Sequence, residues 1–210
     1  MNMEWAQNYL ISKSIMKKLL LLLILSLSVV QGQTFKFGEA KGLFMAVGVG
    51  PKFPIGEFST KSNIGVGFDI TFSYTDNLFL PVFLYSNIGY QHYPGKQDLY
   101  KRSDYSSFSS NVLIFSGGVR HYFQPLLENI VLLMPVLDVG VEFAYFENFH
   151  QYKLDRNKQN SVEQIGKFGF QVGAGFSMFI LDVMTYYNYL KNNQYISFVL
   201  KANIPIFVSM

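Results

Sequence analysis

Seven charged residues of this sequence could meet on one surface. Asp69, Asp138, Glu142 and Asp182 each sit beside bulky apolar neighbours, and so do Arg120, Lys167 and Lys201. Successive side chains of a strand point to opposite faces. If the apolar neighbours point one way, these charges point the other. Four acids against three bases nearly cancel, and charges taken out of water must be paired or hydrogen-bonded. The chemistry expected of them is mutual neutralisation, a barrel-interior charge network. The functional alternative is an ion or proton path.

A second set is weaker. His92, His121 and His150 are scattered, although Asp104, Ser106, Ser107 and His150 could meet near one rim, as a hydrolase or acyltransferase acting on lipid would require. A triad is a matter of geometry, and no spacing here indicates one. Loop Ser and Asp are ordinary turn residues. No metal-ligand motif occurs, and the two GVG stretches (48–50 and 65–67) read as interior glycines, not phosphate loops. The expectation is a non-enzyme with no catalytic, cofactor-binding or metal-binding residues and no cofactor.

The elements that would position the seven charges are visible as a period of two. In "NIGVGFDITFSY" (63–74), Ile64, Val66, Phe68, Ile70, Phe72 and Tyr74 alternate with small or polar residues. Such alternation marks a strand with two unlike faces. It recurs in Leu43–Val49, Leu80–Tyr90, Leu113–Phe123, Leu137–Tyr145, Phe168–Met178, Leu181–Tyr189 and Ile196–Ile206, which makes eight strands in all. Long polar stretches at 51–62, 93–108 and 147–163 alternate with tight turns near 75–78 and 179–180, while 124–131 is intermediate. The connection at Asn192 and Asn193 is short although it falls on the long side. Long loops at one end and short turns at the other are the pattern of an antiparallel up-and-down barrel in an outer membrane.

Volume decides which face meets what. An eight-stranded barrel is only just wide enough inside for side chains to fill it. The bulky apolar set is far too large for that space, whereas Gly, Ser, Ala, Asn and a few charges fit. The apolar face therefore points out, into lipid. Inward bulk is expected from Phe83, Tyr85, Phe146 and Tyr186. Twelve residues at about 3.3 Å each span roughly 40 Å, and a tilt of about 40° leaves enough to cross a bilayer. No uninterrupted apolar run reaches the ~18 residues of a membrane helix. In lipid every backbone group must pair, so the sheet must close.

Composition agrees. Half of the 210 residues are hydrophobic, 17% are aromatic and 15% are charged, against about 25% charged in ordinary soluble chains. A net charge of +3 with no basic cluster interleaved with aromatics gives no sign of nucleic-acid binding. The absence of Cys excludes disulfides and a lipidated N-terminal Cys. Lys17 and Lys18 before the apolar run Leu19–Val30 read as a secretory signal, with cleavage expected after Gly32. Residues 1–32 are then the signal peptide, and 33–210 the barrel domain. Met16-Lys17-Lys18 is itself a signal opening, which would leave 1–15 upstream of a start at Met16. The only Trp, Trp5, would be lost from the mature chain.

Three stretches carry a family resemblance: GVGPKFPIGEF (48–58), NIGVGFDITFSYTDNL (63–78) and FSGGVRHYF (115–123). They resemble the first hairpin and fourth strand of porin-like members of the small outer-membrane β-barrel proteins, OmpA-like and OmpX-like in architecture. The resemblance covers residues 40–207. It implies a Gram-negative outer membrane, with membrane lipid, lipopolysaccharide and the barrel-assembly machinery as partners, and a monomer. Family members end on an aromatic residue that the assembly machinery reads; here Phe207 is followed by Val208-Ser209-Met210.

The functional expectation is an integral outer-membrane barrel with a narrow, side-chain-filled lumen. Its role would be structural, surface-interacting or one of minor permeability. The alternative is a soluble periplasmic carrier of an apolar ligand, like a lipocalin, which would need the apolar face inside. Lys96, Lys101, Arg102, Lys153, Arg156 and Lys158, beside Tyr100, Tyr105 and Tyr152, are the loop residues suited to lipopolysaccharide phosphates or an extracellular partner.

Overall fold

The computed structural model describes residues 41–76, 78–126, 133–154, 158–178 and 180–209, without the side chains of Lys41 and Ser209. The signal segment, Asn129 and Arg156 lie outside the described residues. Eight antiparallel strands close on themselves in sequence order: β1 Lys41–Pro54, β2 Gly65–Asp76, β3 Val82–Pro94, β4 Tyr105–Tyr122, β5 Leu133–Tyr152, β6 Ser161–Met178, β7 Leu181–Leu190 and β8 Tyr195–Ser209. Closure is made by β1 against β8, with one register shift near Leu43 and Phe44.

The period of two becomes an inside and an outside. On β2, Val66, Phe68 and Phe72 are exposed while Asp69, Thr71 and Ser73 are buried. The same split runs around the wall, with Ile88, Phe115, Val139, Val141, Phe170, Val183 and Leu200 all outward. Tyr90, Tyr145, Tyr187 and Tyr189 flank this belt near the loop end, where aromatic girdles of membrane barrels sit. An unbroken apolar exterior of this extent would be insoluble in water and is at rest in lipid.

The chain departs from the sequence reading at the loop end. Residues 105–108, 147–152 and 161–163, expected in loops, continue β4, β5 and β6. Their pairing runs without interruption to Tyr105↔Tyr152 and His150↔Ser161. The three strands therefore stand above the rest as a raised wall. Alternation fades there because both faces are wet. At the other end, Leu80 was expected in the third strand but belongs to the turn before Val82. Asp76 accepts hydrogen bonds from Leu78 N (2.9 Å) and Phe79 N (3.1 Å) and so fixes that turn.

The loop 55–64 folds inward over the mouth instead of projecting. Gly56 takes φ +58°, a left-handed turn that suits glycine. The short helix α1 (Phe58–Lys61) follows and drops Phe58 into the barrel. Its ring lies 4.7 Å from that of Tyr93 and 6.0 Å from that of Phe146, edge-on to both. Val112, Ile114, Ala144, Leu190 and Tyr195 complete this buried cluster. A second helix, α2 (Gln97–Arg102), lies in the β3–β4 loop. The loops are stitched together by Lys96 N to Lys61 O (3.0 Å) and Ile55 N to Gln194 O (2.9 Å).

Phe58→Ala removes the stopper without touching the wall. Amides of 58–62 should then exchange at least about tenfold faster, since a buried Phe→Ala change costs several kcal/mol locally. The melting temperature of the barrel should barely move. Native-state hydrogen exchange would check both.

Candidate functional site: the filled lumen and the raised wall

Below the Phe58 cluster the lumen is polar. Of the seven expected charges, Asp69, Arg120, Asp138, Glu142, Asp182 and Lys201 are buried inside. Lys167 is not among them. It stands at the rim, donating to Lys191 O (2.7 Å) and to Asn193 Oδ1. Its place is taken by Lys52, which falls in the 51–62 stretch expected as a loop. β1 runs on through Pro51, and Lys52 keeps the inward phase of Gly48 and Gly50.

Arg120 is the centre of the lower network. Its Nε and Nη2 form a fork on the two carboxylate oxygens of Asp138, both at 2.8 Å. Nη1 reaches Asp182 Oδ2 at 2.9 Å. Such planar two-point pairing is what guanidinium does best. Tyr186 OH donates to Asp138 Oδ2 (2.8 Å) and accepts from Lys201 Nζ (2.9 Å). Nearer the mouth, Lys52 Nζ meets Asp69 Oδ2 at 3.1 Å. Tyr195 OH donates to Glu142 Oε1 at 2.9 Å, and Gln91 Nε2 donates to Tyr195 OH at 3.2 Å.

Glycines make this filling fit. A Cβ on Gly67 would run into Lys52, one on Gly89 into the Asp69 carboxylate, and one on Gly173 into the ring of Tyr186. The interior is also more apolar than expected: Val136, Met184 and Val199 pack around Tyr186. Phe83, Tyr85, Phe146 and Tyr186 all point inward, Phe83 stacking edge-on with Tyr122 at 4.9 Å. A cavity of about 20 Å³ remains between Lys52, Asp69, Gln91 and Lys201, room for about one water. Among the described residues the lumen is filled with polar and aromatic side chains, whereas the carrier reading needs the apolar face inside.

On the raised wall, His150 lies in β5, not in a loop. Its Nδ1 is 3.0 Å from Tyr105 OH and its Nε2 is 3.4 Å from Glu163 Oε2. Among the described residues, neither Ser106 nor Ser107 bonds to it. Asp104 pairs with Lys158 at 2.8 Å. The rings of Tyr105 and Tyr152 stack at 4.9 Å, and Lys158 lies 5.5 Å from the centroid of Tyr152. Lys153 Nζ is spent on the carbonyls of Tyr100 and Ser103, at 2.8 and 2.9 Å. His92 bonds to Asn111 (2.7 Å) and His121 packs on Phe123, far apart in the chain and in role.

Lys52 was detectable in principle, since it continues the parity of the first strand by two residues. Phe58, Gln91 and Tyr195 carried no such signal, because their importance arises from loop folding and cross-barrel contacts.

A closed eight-stranded wall with an apolar exterior and a paired, polar interior defines the class by architecture: an up-and-down β-barrel with the outward apolar band of a membrane-spanning barrel. The barrel is similar to neisserial surface protein A, at 15% identity and a TM-score of 0.48, covering 79% of this chain and 97% of that one. It is similar to Ail, the attachment invasion locus protein of Yersinia pestis, at 13% identity and a TM-score of 0.41, covering 80% and 100%. It is also similar to the N-terminal β-barrel domain of Pseudomonas aeruginosa OprF, at 12% identity and a TM-score of 0.43, covering 79% and 99%. No protein-family model matches the sequence, and no curated protein matches it.

Proposed function

We propose that this protein is a closed, monomeric outer-membrane barrel whose role is presentation. It carries the raised β4–β5–β6 wall and its loops on the cell exterior and conducts no steady current. The observation that carries this is the filling of the lumen at two levels: the Phe58 aromatic cluster at the mouth and the Arg120–Asp138–Asp182 network below. Closing both leaves only the outer surface for recognition, and it assigns no residue to catalysis.

The cationic and aromatic residues of the loop end suit phosphate-bearing lipopolysaccharide around the barrel. Lys61 ends α1, Lys96 precedes α2, and Lys101 and Arg102 end α2, with Lys96 N bonded to Lys61 O. Such charges interact with anionic lipid heads in a salt-dependent way.

Orientation is testable because the chain has no Cys. Lys101→Cys and Leu154→Cys should react with an impermeant thiol reagent on intact cells. Leu126→Cys, at the turn end, should react only after the outer membrane is opened. The opposite labelling pattern would place the raised wall in the periplasm and end this reading.

A further inference from the structure

At the top of the raised wall two tyrosines stand opposite each other across the β4–β5 ladder, Tyr105↔Tyr152. Side chains directly opposed on one face of a ladder are close neighbours. Here the rings lie nearly parallel, with centroids 4.9 Å apart and planes 22° apart. Both are partly exposed, and both lie above the apolar belt. Among the described residues, Tyr93 and Tyr195 also bring their rings together, but edge-on at 6.2 Å and at 0% and 2% exposure inside the lumen.

The hydroxyl of Tyr105 has a base beside it. His150 Nδ1 is 3.0 Å away, while Nε2 is 3.4 Å from Glu163 Oε2. An ionised carboxylate only accepts, so the ring hydrogen sits on Nε2 and Nδ1 accepts from Tyr105 OH. Desolvation first, then hydrogen bonding and charge from Tyr152 and the charge of Glu163, pushes the Tyr105 phenol up to about 12. It therefore carries its proton at neutral pH. A phenol that loses an electron becomes a strong acid, and here the proton has an acceptor within transfer distance. Tyr152 differs, because Lys158 Nζ lies 5.5 Å from its ring centroid. A cation near a ring face is attracted to its electrons and disfavours their loss. The described residues contain no Cys and no Trp, so no side chain there gives up one electron more readily than tyrosine.

We propose that Tyr105 and Tyr152 form an oxidative cross-linking site, joined into a dityrosine by one-electron oxidants of the kind haem peroxidases make from hydrogen peroxide. Tyr105 gives one electron to the oxidant and its hydroxyl proton to His150 Nδ1. Tyr152 gives a second electron, and its proton leaves to water. The two phenoxyl radicals form one carbon–carbon bond between ring carbons ortho to the hydroxyls. The hydrogens on those carbons move to the oxygens as the rings regain aromaticity. The pair has then lost two hydrogens, and one hydrogen peroxide has taken up two electrons and two protons to become two waters.

Holding the reacting groups side by side replaces a bimolecular encounter. The pair therefore reacts ahead of Tyr90 and Tyr187, which are exposed but touch no other tyrosine ring among the described residues. The product is a covalent strap between β4 and β5 that fixes the top of the wall. The chemistry needs only that the wall be wet; that the oxidant comes from outside the cell rests on the orientation proposed above.

The test exposes the folded full-length barrel, dilute and in nonionic detergent, to hydrogen peroxide and a haem peroxidase. The expected result is dityrosine emission without a dimer band. Trypsin should then release 103–120 joined to 121–153, two hydrogens lighter than their sum. Tyr105→Phe and Tyr152→Phe keep the stacked ring and should each lower the emission at least about tenfold, since proximity sets the yield. His150→Ala should lower it several-fold, and added imidazole should restore part of it, which a merely structural loss would not allow. Amides of Tyr105 and Tyr152 should exchange more slowly after the reaction. Absence of the joined species, links spread over other tyrosines or between chains, or unchanged emission in the two Phe variants would overturn the proposal. So would an equal yield of the same joined species from urea-unfolded protein, because the stacking would then play no part.

Discussion

Replacing Arg120 by alanine should destabilise the barrel by about 3–5 kcal/mol, the usual consequence of removing one partner from a buried ion pair. The expectation rests on what the change strands. Arg120 is 1% exposed and satisfies both oxygens of Asp138 and one of Asp182, both of which are also fully buried. Without it, two buried carboxylates lose their guanidinium partner, and Lys201 contacts Tyr186 rather than either acid. Water would have to enter to solvate them. The variant should therefore melt earlier in urea and show brief current steps that wild type lacks. Asp138→Asn in the same background should recover part of the loss by removing one stranded charge. A neutral result for Arg120→Ala would mean that the network contributes little to closure.

The second large effect concerns the outer face. Phe68→Arg and Val141→Arg should each cost about 2–4 kcal/mol if those positions lie near the bilayer midplane, where a charge on the lipid face is most expensive. Phe68 and Val141 are outward and well exposed. Thr71→Arg acts by a different route, because Thr71 is buried, bonded to Asn87, and accepts from Lys201. There the added bulk overfills the lumen. Folding into vesicles, followed by the gel-mobility shift of a closed barrel, would separate them. Normal folding of both lipid-face variants would reverse the assignment of faces.

The extent to which the barrel was legible follows from where its wall touches lipid. Between Val66 and Tyr74, or Leu137 and Tyr145, apolar and polar residues alternate because one side meets hydrocarbon and the other a crowded interior. That contrast places Asp69, Asp138 and Glu142 inside without further information. Above the membrane both sides are wet, so 105–108 and 161–163 look like loops while forming a regular ladder. Lys52 falls in the 51–62 stretch expected as a loop, although it has the parity of the inward glycines. Lys167 has that parity as well, yet β7 ends at Leu190. Position along the strand, and not only phase, decides whether a side chain enters the lumen. The stopper was illegible for a different reason: Phe58 matters because a glycine turn and one helical turn aim it at Tyr93 and Phe146, contacts distant in sequence.

Conductance of the purified wild-type protein in planar bilayers tests closure most directly. With Phe58 in the mouth, Arg120 forked on Asp138 and Lys52 on Asp69, the account predicts no steady porin-scale current, and at most rare, small openings. Water-filled porins need about 16–18 strands. Stable, large, ohmic channels from the wild-type protein would contradict the filled lumen.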